Sequence, residues 1–592
     1  MQHQLDPNPD PSQEAGFVEY LRWMRPYDDG DSTRDGTKVQ ILHLAEENAD
    51  YGDRLKVLTE RTKRMAGKGN TFEVRCLWRI RVGGHRGPES ILLPAFDALG
   101  MPYLPSSTLR GVARAEGIRD LMAKKSGDRK VARAEAEAEI AQYFGSLDAE
   151  ERDRTGKVIF LDAYPMPSGD RPSGGLAVDM ANNIWGWNGN SLDYSPNPNA
   201  FFSLEKSTFL IGLRPLNDQV SADVLRQVRK WLIRGLQAGV GSQVNTGYGA
   251  LVQADQKPSR LEILRLPFTL EGQLIHGCQQ FTQWKWDDRR GWQMRGKAEA
   301  EVRPVAFKSM LRYWFRVLTL GVLSPSEVQQ WEATLFGAIT PQATQGWLTV
   351  QVSDGKIVQP EAKSQQDPCG EQSGTLILAH SAASPAAQHS ATKALFKNLA
   401  WLMFHLGGIG QGARRPCYSR KNRDRAPWWR GSTLIPETDD DFWALPEDEE
   451  LPVFARRFRK RLQAFFEALA AVMQRQLNWQ APRSLGQVRS DRWTEAADAD
   501  CRIVLCAGST KSNKPYALAV LHDPEFKRQG DYDGNLCGQV RGKVAPSPVW
   551  IIDLGEFQVV TVFGATQDPR RQYLRALRDR TSRENFSQLW PI

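Results

Sequence analysis

The sequence predicts an α+β protein built around a duplicated domain, with glycine-rich loops and long insertions. Runs with the two-residue alternation of β-strands occur between segments in which apolar residues recur every three or four positions, the spacing of amphipathic helices. Four local features also occur twice in the same order. Their offset of roughly 170 to 200 residues is much longer than a solenoid period, so it indicates two copies of a whole domain.

Composition indicates a soluble globular protein. The 592 residues suffice for about three or four domains of ordinary size, and 41% apolar with 25% charged residues is the balance of chains with hydrophobic cores. No apolar run has the length of a membrane-spanning helix, and the first residues lack the basic and apolar segments of a secretory signal. We therefore expect a cytoplasmic protein without membrane contact.

The charge balance permits an anionic partner, whereas the cysteines and histidines indicate no metal. A formal net charge of +8 and a pI of about 9.0 are a moderate positive excess for so long a chain. The seven cysteines form no Cys-x-x-Cys pair and no Cys/His set with the spacing of metal ligands. We expect neither a metal site nor a cofactor.

The first 70 residues are mostly polar and charged. Residues 1–70 are therefore predicted to form an N-terminal arm that carries at most a loosely attached helix. Residues 72–82 then alternate between apolar and polar side chains and predict a β-strand, with Arg75, Arg79 and Arg81 on one face. That face suits a polyanion, but an ordinary solvated face has the same pattern.

A helix is predicted to begin at Ser106, within the segment Pro105–Gly111 that we call the first helix start. Ser106 and Ser107 supply hydroxyl groups for the N-cap and the first turn. Arg110 and Arg114 follow at a spacing of four residues, which places them on one helix face. Free backbone N–H groups beside arginines are typical of a phosphate site.

The chain then continues with a helix, a short Phe-Gly-Ser element, a strand and a long loop. The helix is predicted over 129–143, the Phe-Gly-Ser element occupies 144–146, and the strand covers 156–163. Residues 165–198, rich in Gly, Asn, Ser and Pro, are predicted to be a loop without a core pattern. A further strand is predicted over 202–213.

Residues 221–254 combine a basic amphipathic helix, a glycine-rich loop and a strand. The loop, which we call the first glycine loop, contains Gly239, Gly241, Asn245, Gly247, Tyr248 and Gly249. Dinucleotide and P-loop motifs need a strand before the glycines and a helix after them, and the order here is the reverse. A turn into an edge strand and a ligand-binding loop both remain compatible with this stretch.

The same features recur after residue 257. Residues 303–316 form the second helix start, the Phe-Gly-Ala residues 336–338 match 144–146, and a strand is predicted over 346–352. The helix predicted over 391–406 leads into the second glycine loop. The basic residues of the second helix start are Arg303, Lys308 and Arg312, and the second loop with its flank contains Gly407, Gly408, Gly410, Arg414 and Arg415.

A tract after the second glycine loop mixes arginines with aromatic side chains. Residues 414–431 contain Tyr418, Trp428 and Trp429 together with seven arginine or lysine residues, Arg414 and Arg415 included. This composition suits contacts to phosphates combined with stacking on bases. An exposed, charge-rich insert is the alternative.

Together these motifs resemble the RAMP superfamily of CRISPR-associated proteins. The resemblance is carried by the first helix start, the Phe-Gly-Ser element and the first glycine loop. Residues 71–257 look like the sixth subunit of Cmr-type (type III-B) effector complexes, and residues 258–592 look like the first subunit. The resemblance implies tandem ferredoxin-like (RRM-like) RAMP domains, two of them in the second region, with insertions around 354–390 and 416–450.

The resemblance also implies a function. The two helix starts and the two glycine loops would face a CRISPR guide RNA and hold its backbone near the 3′ end. The chain would then help to position target RNA and would contact other subunits of a type III effector complex.

Two alternatives remain open at this point. Backbone subunits of related complexes cut target RNA with a loop aspartate, and the loop between 83 and 100 contains Glu89 and Asp97 as candidate catalytic residues, with Mg²⁺ as the metal if cleavage occurs. The other alternative is an assembly subunit that contacts proteins only.

Overall fold

The computed structural model describes most of the chain, and the statements below concern these residues. The described ranges are 16–23, 31–84, 92–125, 127–168, 173–189, 191–253, 261–288, 291–339, 342–364, 366–409, 415, 431–444, 450–509, 511, 514–539 and 545–592. The chain forms two compact units. One comprises Met1–Asn182, Pro198–Ser259 and Gly277–Glu299, and the other comprises Asn183–Asn197, Arg260–His276 and Ala300–Ile592.

Three helices precede the first sheet: α1 (Phe17–Trp23), α2 (Asp31–Asn48) and α3 (Gly52–Ala66). They differ from the predicted loose arm, because their apolar side chains belong to the hydrophobic core of the first unit. Tyr51 is 1% exposed, and its hydroxyl accepts a hydrogen bond from the Phe17 N–H at 2.8 Å. The apolar positions are sparse among charged residues, so their common burial was not evident from the local pattern.

The next elements extend to residue 252. They are β1 (Thr71–Cys76), β2 (Arg79–Ile80), α4 (Ser106–Met122), α5 (Arg129–Phe144), β3 (Val158–Phe160), β4 (Leu176–Asn188), β5 (Ser191–Glu205), β6 (Thr208–Pro215), α6 (Ala222–Ala238) and β7 (Leu251–Val252). The sheet order is β3-β6-β1-β7. With the helices between β1 and β3 and between β6 and β7, this is the antiparallel β-α-β-β-α-β arrangement of a ferredoxin-like domain.

The predicted loop over 165–198 is wrong for most of its length. Strands β4 and β5 occupy it and form a three-stranded sheet in the order β2-β5-β4. Leu176, Val178, Phe202 and Leu204 at the base of the two strands are buried, whereas the remaining sequence is rich in Asn, Ser and Pro. Backbone pairing holds such polar strands together without the apolar alternation by which sequence analysis recognises a strand.

The remaining elements are β8 (Glu262–Gly272), β9 (His276–Asp287), β10 (Gly291–Ala300), α7 (Pro304–Leu320), α8 (Pro325–Phe336), β11 (Leu348–Gln359), β12 (Glu371–His380), α9 (His389–Leu406), β13 (Ser432–Pro436), α10 (Leu451–Met473), β14 (Arg502–Cys506), α11 (Tyr516–Leu521), β15 (Lys527–Arg528), β16 (Asp531–Tyr532), α12 (Gly534–Cys537), β17 (Val549–Asp553), β18 (Gln558–Val562), α13 (Arg570–Asp579) and β19 (Phe586–Trp590).

The second unit contains two further sheets with the same strand order as the first. Their orders are β11-β12-β8-β13 and β17-β18-β14-β19, and every recorded pairing in them is antiparallel. In each sheet, helices lie between the first and second strands and between the third and fourth. The α+β prediction with ferredoxin-like units is therefore confirmed.

The segment around 354–390, which was expected to be an insertion, contributes a strand to a sheet of the second unit. Strand β12 lies within that segment and pairs with both β11 and β8, so it is a central strand of its sheet. In the second expected insertion, 416–450, residues 416–430 and 445–449 lie outside the described residues. Strand β13 lies between them as an edge strand paired with β8.

Candidate nucleic-acid interface

The first glycine loop is shaped by close backbone packing. Gly239, Gly241, Gly247 and Gly249 all have positive φ values, between 76° and 114°. A Cβ atom at Gly241 would lie 2.2 Å from the Arg81 carbonyl oxygen, and one at Gly249 would lie 1.9 Å from the Val240 carbonyl oxygen. Glycine is thus required here by the fold itself, whether or not a ligand binds.

Two backbone hydrogen bonds attach this loop to the segment after β1. The Ser242 N–H donates to the Arg81 carbonyl at 2.9 Å, and the Gly249 N–H donates to the Arg79 carbonyl at 2.8 Å. The loop therefore moves with residues 79–82. Gly241 and Gln243 are exposed, so the outer part of the loop is open to solvent.

Tyr248 and Asn245, which were predicted to contact RNA, are both buried. Tyr248 is 3% exposed, its hydroxyl donates to the Asp179 carboxylate at 2.7 Å, and its ring lies 4.7 Å from that of Trp78. Asn245 is 9% exposed. Their role is to support the loop from below, and the Tyr248 ring is not available for stacking on a base.

The three arginines in and after β1 differ in exposure, with one internal and two at the surface. Arg79 is buried and donates to the Ser203 hydroxyl at 2.9 Å, with Glu205 at 3.6 Å. The bend at 77–78 changes the strand register, so the predicted common arginine face does not exist. Arg75 is exposed, and Arg81 packs over Phe201 at 4.7 Å without an ion pair among the described residues.

The first helix start is partly satisfied from within the protein. Pro105 is the N-cap, and the Ser106 N–H donates to the Asp162 carboxylate at 2.7 Å. A carboxylate therefore already occupies the positive end of α4. Ser107 is exposed, whereas the Ser106 N–H, which was predicted to be available to a phosphate, is already bound to Asp162.

The two arginines of α4 remain as cations. Arg110 is exposed, and its guanidinium donates to the Phe144 carbonyl, a neutral acceptor, so the charge is not cancelled. Arg114 is half-buried and has no ion pair within the described part of the chain. The structure thus brings the first helix start and the Phe-Gly-Ser element together through Arg110.

The candidate catalytic residue Asp97 is engaged in its own loop. One carboxylate oxygen accepts from the Leu99 N–H at 2.9 Å and from the Met101 N–H at 3.0 Å. The other oxygen accepts from the Tyr164 hydroxyl at 3.0 Å. This arrangement closes a turn and leaves little of the carboxylate for a metal. Glu89 lies outside the described residues.

At the second helix start, the arginines pair with carboxylates. Arg303 is 4% exposed and pairs with Glu301 at 2.8 Å. Glu332 of α8 is 1% exposed and accepts two hydrogen bonds of 2.8 Å from Arg316. The Arg312 guanidinium also donates to it. Arg303 is therefore not the open phosphate contact that the sequence predicted. Arg312, whose side chain is 36% exposed, shares the single negative charge of Glu332 with Arg316, so these three side chains together keep one positive charge.

Lys308 differs from these arginines. Its side chain is 7% exposed, and no carboxylate among the described residues pairs with it. Burial, together with the nearby positive charge of Arg312, lowers the pKa of Lys308 to about 7. An anion placed beside this amine would favour its charged form.

The second glycine loop rests directly on α7. The Trp314 indole N–H donates to the Gly407 carbonyl at 2.8 Å. At Gly408, where φ is 124°, a Cβ would lie 2.0 Å from the Met310 methyl group. The second helix start and the second glycine loop are therefore neighbours, as the resemblance implied. Gly410, Arg414 and the aromatic tract at 416–430 lie outside the described residues.

Arg415 is an internal residue. It is 3% exposed, pairs with Glu495 at 2.7 Å and donates to the Ser547 carbonyl at 2.7 Å. Its guanidinium lies 4.2 Å from the ring of Trp550. A carboxylate and an indole thus already enclose the charge of Arg415, which leaves it poorly placed for the RNA contact predicted from the sequence.

Sequence analysis missed the buried acids Asp179, Glu332 and Glu495. Glu332 carried a usable signal, since it lies in α8 between Val328 and Leu335 at the spacing of the apolar face. Asp179 and Glu495 lie in segments without an apolar helical pattern of this kind. Among the described residues no group of three His, Cys, Asp or Glu side chains could hold a metal ion. No described helix is long and apolar enough to span a membrane.

Comparison with known proteins shows which family shares this geometry. The first unit combines three features: a ferredoxin-like sheet, a second helix that ends in a glycine loop, and a helix start that carries serine and arginine. The family model of the RAMP superfamily matches residues 72–252, which contain all three of these features. The family resemblance is therefore confirmed for this segment. No curated protein matches the chain.

Two solved structures are similar to parts of the chain. A chain of the type III-B Cmr-beta complex bound to cognate target RNA is 19% identical, with a TM-score of 0.28, over 40% of this chain and 78% of that one. Cmr6 from Pyrococcus furiosus is 20% identical, with a TM-score of 0.21, over 31% of this chain and 96% of that one.

Proposed function

We propose that this chain is an RNA-binding structural subunit of a type III CRISPR effector complex. It holds the backbone of the guide RNA toward the 3′ end and helps to position target RNA. The contacts are made by the outer face of the first glycine loop, by the cations of α4 and by the start of α7 beneath the second glycine loop. Because these groups meet phosphates, the binding does not depend on base sequence.

The observation that carries the proposal is Lys308. A buried amine without a carboxylate partner costs free energy when it is charged, and a protein tolerates it where a ligand supplies the missing negative charge. Lys308 lies in the second helix start, where the family resemblance expects RNA. Arg110, Arg114 and Arg81 support the proposal in the first unit, since none of their charges is cancelled by a described carboxylate.

The salt dependence of binding tests the first unit. We expect Arg110→Ala and Arg114→Ala each to reduce the slope of log affinity against log salt by about 0.7, the value for one phosphate of a single strand. Arg152→Ala is the matched control, because Arg152 already pairs with Glu150 at 3.2 Å. Filter binding of the full chain to a single-stranded RNA across a salt series measures the slope. An unchanged slope for Arg110 and Arg114 contradicts their phosphate contacts.

The nuclease alternative has its own test. In the assembled complex, Glu89→Gln and Asp97→Ala are expected to leave the cleavage sites in complementary RNA unchanged. Asp97→Ala should instead lower the free energy of unfolding by about 1–3 kcal/mol, because the Leu99 and Met101 N–H groups lose their acceptor. Loss of a cleavage site in the Glu89 variant, whose fold should be intact, would establish a catalytic role.

Crosslinking distinguishes the proposed RNA-binding subunit from the alternative, an assembly subunit that contacts proteins only. Ultraviolet crosslinking of the complex, followed by mass spectrometry, is expected to find RNA adducts on peptides from the first glycine loop or the start of α7. A complex that contains guide RNA but gives no adduct on this chain would favour a subunit that contacts proteins only.

A further inference from the structure

The two most exposed large apolar side chains of the described residues occupy equivalent positions in the two units. Leu147 is 90% exposed and Ile339 is 85% exposed, and the next large apolar residue, Val57, is 68% exposed. Leu147 is the third residue after Phe144, and Ile339 is the third residue after Phe336. Scattered exposed apolar residues need no explanation, but the same exposure at the same place in both copies does.

Both residues lie on loops that are closed tightly at the base, over 145–156 and 337–346, which we call the knob loops. A Cβ at Gly156 would lie 2.8 Å from the Phe144 carbonyl oxygen, and one at Gly346 would lie 2.4 Å from the Phe336 carbonyl carbon. In each loop the backbone at the base therefore touches the end of the preceding helix. Residues 340–341 lie outside the described residues.

Backbone hydrogen bonds fix the two loops further. In the first, the Ser146 N–H donates to the Asp153 carbonyl at 3.1 Å. In the second, Ala338 and Thr344 exchange hydrogen bonds of 3.1 and 2.8 Å. The exposed aliphatic side chain comes immediately after the bonded residue in both cases. A held loop loses less conformational entropy when its tip is bound, so this construction suits a docking contact.

The charges of the knob loops argue against RNA as their partner. The first loop carries four acids, Asp148, Glu150, Glu151 and Asp153, against Arg152 and Arg154. Arg152 pairs with Glu150 at 3.2 Å and lies 3.5 Å from Asp153. No cation among the described residues pairs with Asp148 or Glu151. The second loop, GAITPQATQG, has no charged residue. A phosphate backbone would be repelled by the first loop and would find no cation on the second.

We infer that the knob loops are protein-docking contacts, each inserting its aliphatic side chain into an apolar socket of a partner polypeptide. The socket for Leu147 is bordered by lysine or arginine side chains, which complement the acids of the loop. Loss of water from an aliphatic side chain in such a socket favours association and requires no base or phosphate. The inference goes beyond RNA binding and stands even if that proposal fails.

The first stage of the test identifies the partner surface. The full chain carries the photoreactive residue p-benzoylphenylalanine at position 147 or 339 and is irradiated in its purified complex. Positions 57 and 358 are the matched controls, since Val57 and Val358 are exposed aliphatic residues outside the knob loops. Adducts from 147 are expected on a peptide that combines aliphatic residues with nearby lysine or arginine. Adducts on RNA, or none at 147 and 339, would overturn the inference.

The second stage measures the contact with the protein so identified. Leu147→Asp is expected to weaken binding of that purified protein by about tenfold or more, whereas Leu147→Met retains it. Val57→Asp is the control and should change affinity by less than about twofold. RNA affinity of Leu147→Asp should stay unchanged, which separates this contact from the proposed RNA function. Equal affinity of Leu147→Asp and the unmodified chain would refute the docking role.

Discussion

Replacement of Glu332 by Gln is expected to lower the free energy of unfolding by about 3–5 kcal/mol, the usual cost of removing one partner from a buried ion pair. Glu332 is 1% exposed and accepts hydrogen bonds from both Arg312 and Arg316. The Trp187 indole N–H donates to it as well, at 3.2 Å. The glutamine keeps the shape of the side chain but leaves two guanidinium groups without a counter-charge, and Arg316 is itself only 4% exposed.

Hydrogen exchange of the full chain measures this effect locally, because α7 and α8 amides should exchange faster in the variant. Glu150→Gln is the control: its pair with Arg152 is more than three-quarters exposed, so its loss should cost about 0.5 kcal/mol or less. Burial opposes ionisation of Glu332, but Arg316 and Arg312 prevail and lower its pKa. Its contribution is therefore present above about pH 4.5 and is lost as the pH falls. A cost below about 1 kcal/mol would contradict the assigned role.

Replacement of Lys308 by Met is expected to weaken RNA binding by about 10- to 100-fold at pH 6 and to abolish the pH dependence of binding. The pKa of Lys308 in the free protein is about 7, so the amine is largely neutral at pH 8.5. Binding of a phosphate raises that pKa, and the complex takes up a proton. Affinity should therefore fall by about tenfold or more between pH 6 and pH 8.5 in the unmodified chain.

Lys308→Arg separates charge from titration. Arginine stays protonated across this range, so we expect the variant to bind at pH 8.5 nearly as well as at pH 6. Lys393→Met, an exposed lysine in α9, is the control for loss of one positive charge. Fluorescence anisotropy with a short single-stranded RNA gives the dissociation constants. If Lys308→Met binds RNA as tightly as the unmodified chain at pH 6, Lys308 has no phosphate contact.

In the absence of RNA, the charged Lys308 side chain should destabilise the folded protein, although the same charge favours RNA binding. Its folded-state pKa is below its unfolded value, so the burial cost is complete below about pH 7 and declines as the pH rises toward 10.5. The Met variant should accordingly be more stable than the unmodified chain at pH 6, with a smaller difference at pH 10. Such a pH dependence would identify Lys308 as a residue that lowers the stability of the free protein and contributes to RNA binding.

Much of the fold could be predicted because it depends on residues close in the chain. Ser221 has a side chain typical of an N-cap, and its hydroxyl accepts from the Asp223 N–H at 3.2 Å at the start of α6. The helix then ends at Gly239, where φ is 114°. Both signals come from within a few residues of the helix ends. The order of helices and strands in the two duplicated regions followed from the same kind of local pattern.

The polar hairpin of β4 and β5 could not be predicted in this way. Its strands are held by backbone hydrogen bonds to each other, and most of its side chains have no alternation that marks a strand. The central strand β12 was similarly assigned to an insertion, because its pairing with β8 joins residues about 100 positions apart, such as Leu376 and Leu266. Pairing over such distances is decided by the assembled sheet.

The sequence by itself determined the domain type, the duplication, the two glycine loops and the location of the basic residues around them. Only the tertiary structure decided which basic residues keep an open charge. Arg312, Arg415 and Lys308 look alike in the sequence, yet Arg312 shares the charge of Glu332 with Arg316, Arg415 pairs with Glu495, and no described carboxylate reaches Lys308. An ion pair forms only where folding brings two charges within about 4 Å, and the carboxylates concerned lie 20 and 80 residues away.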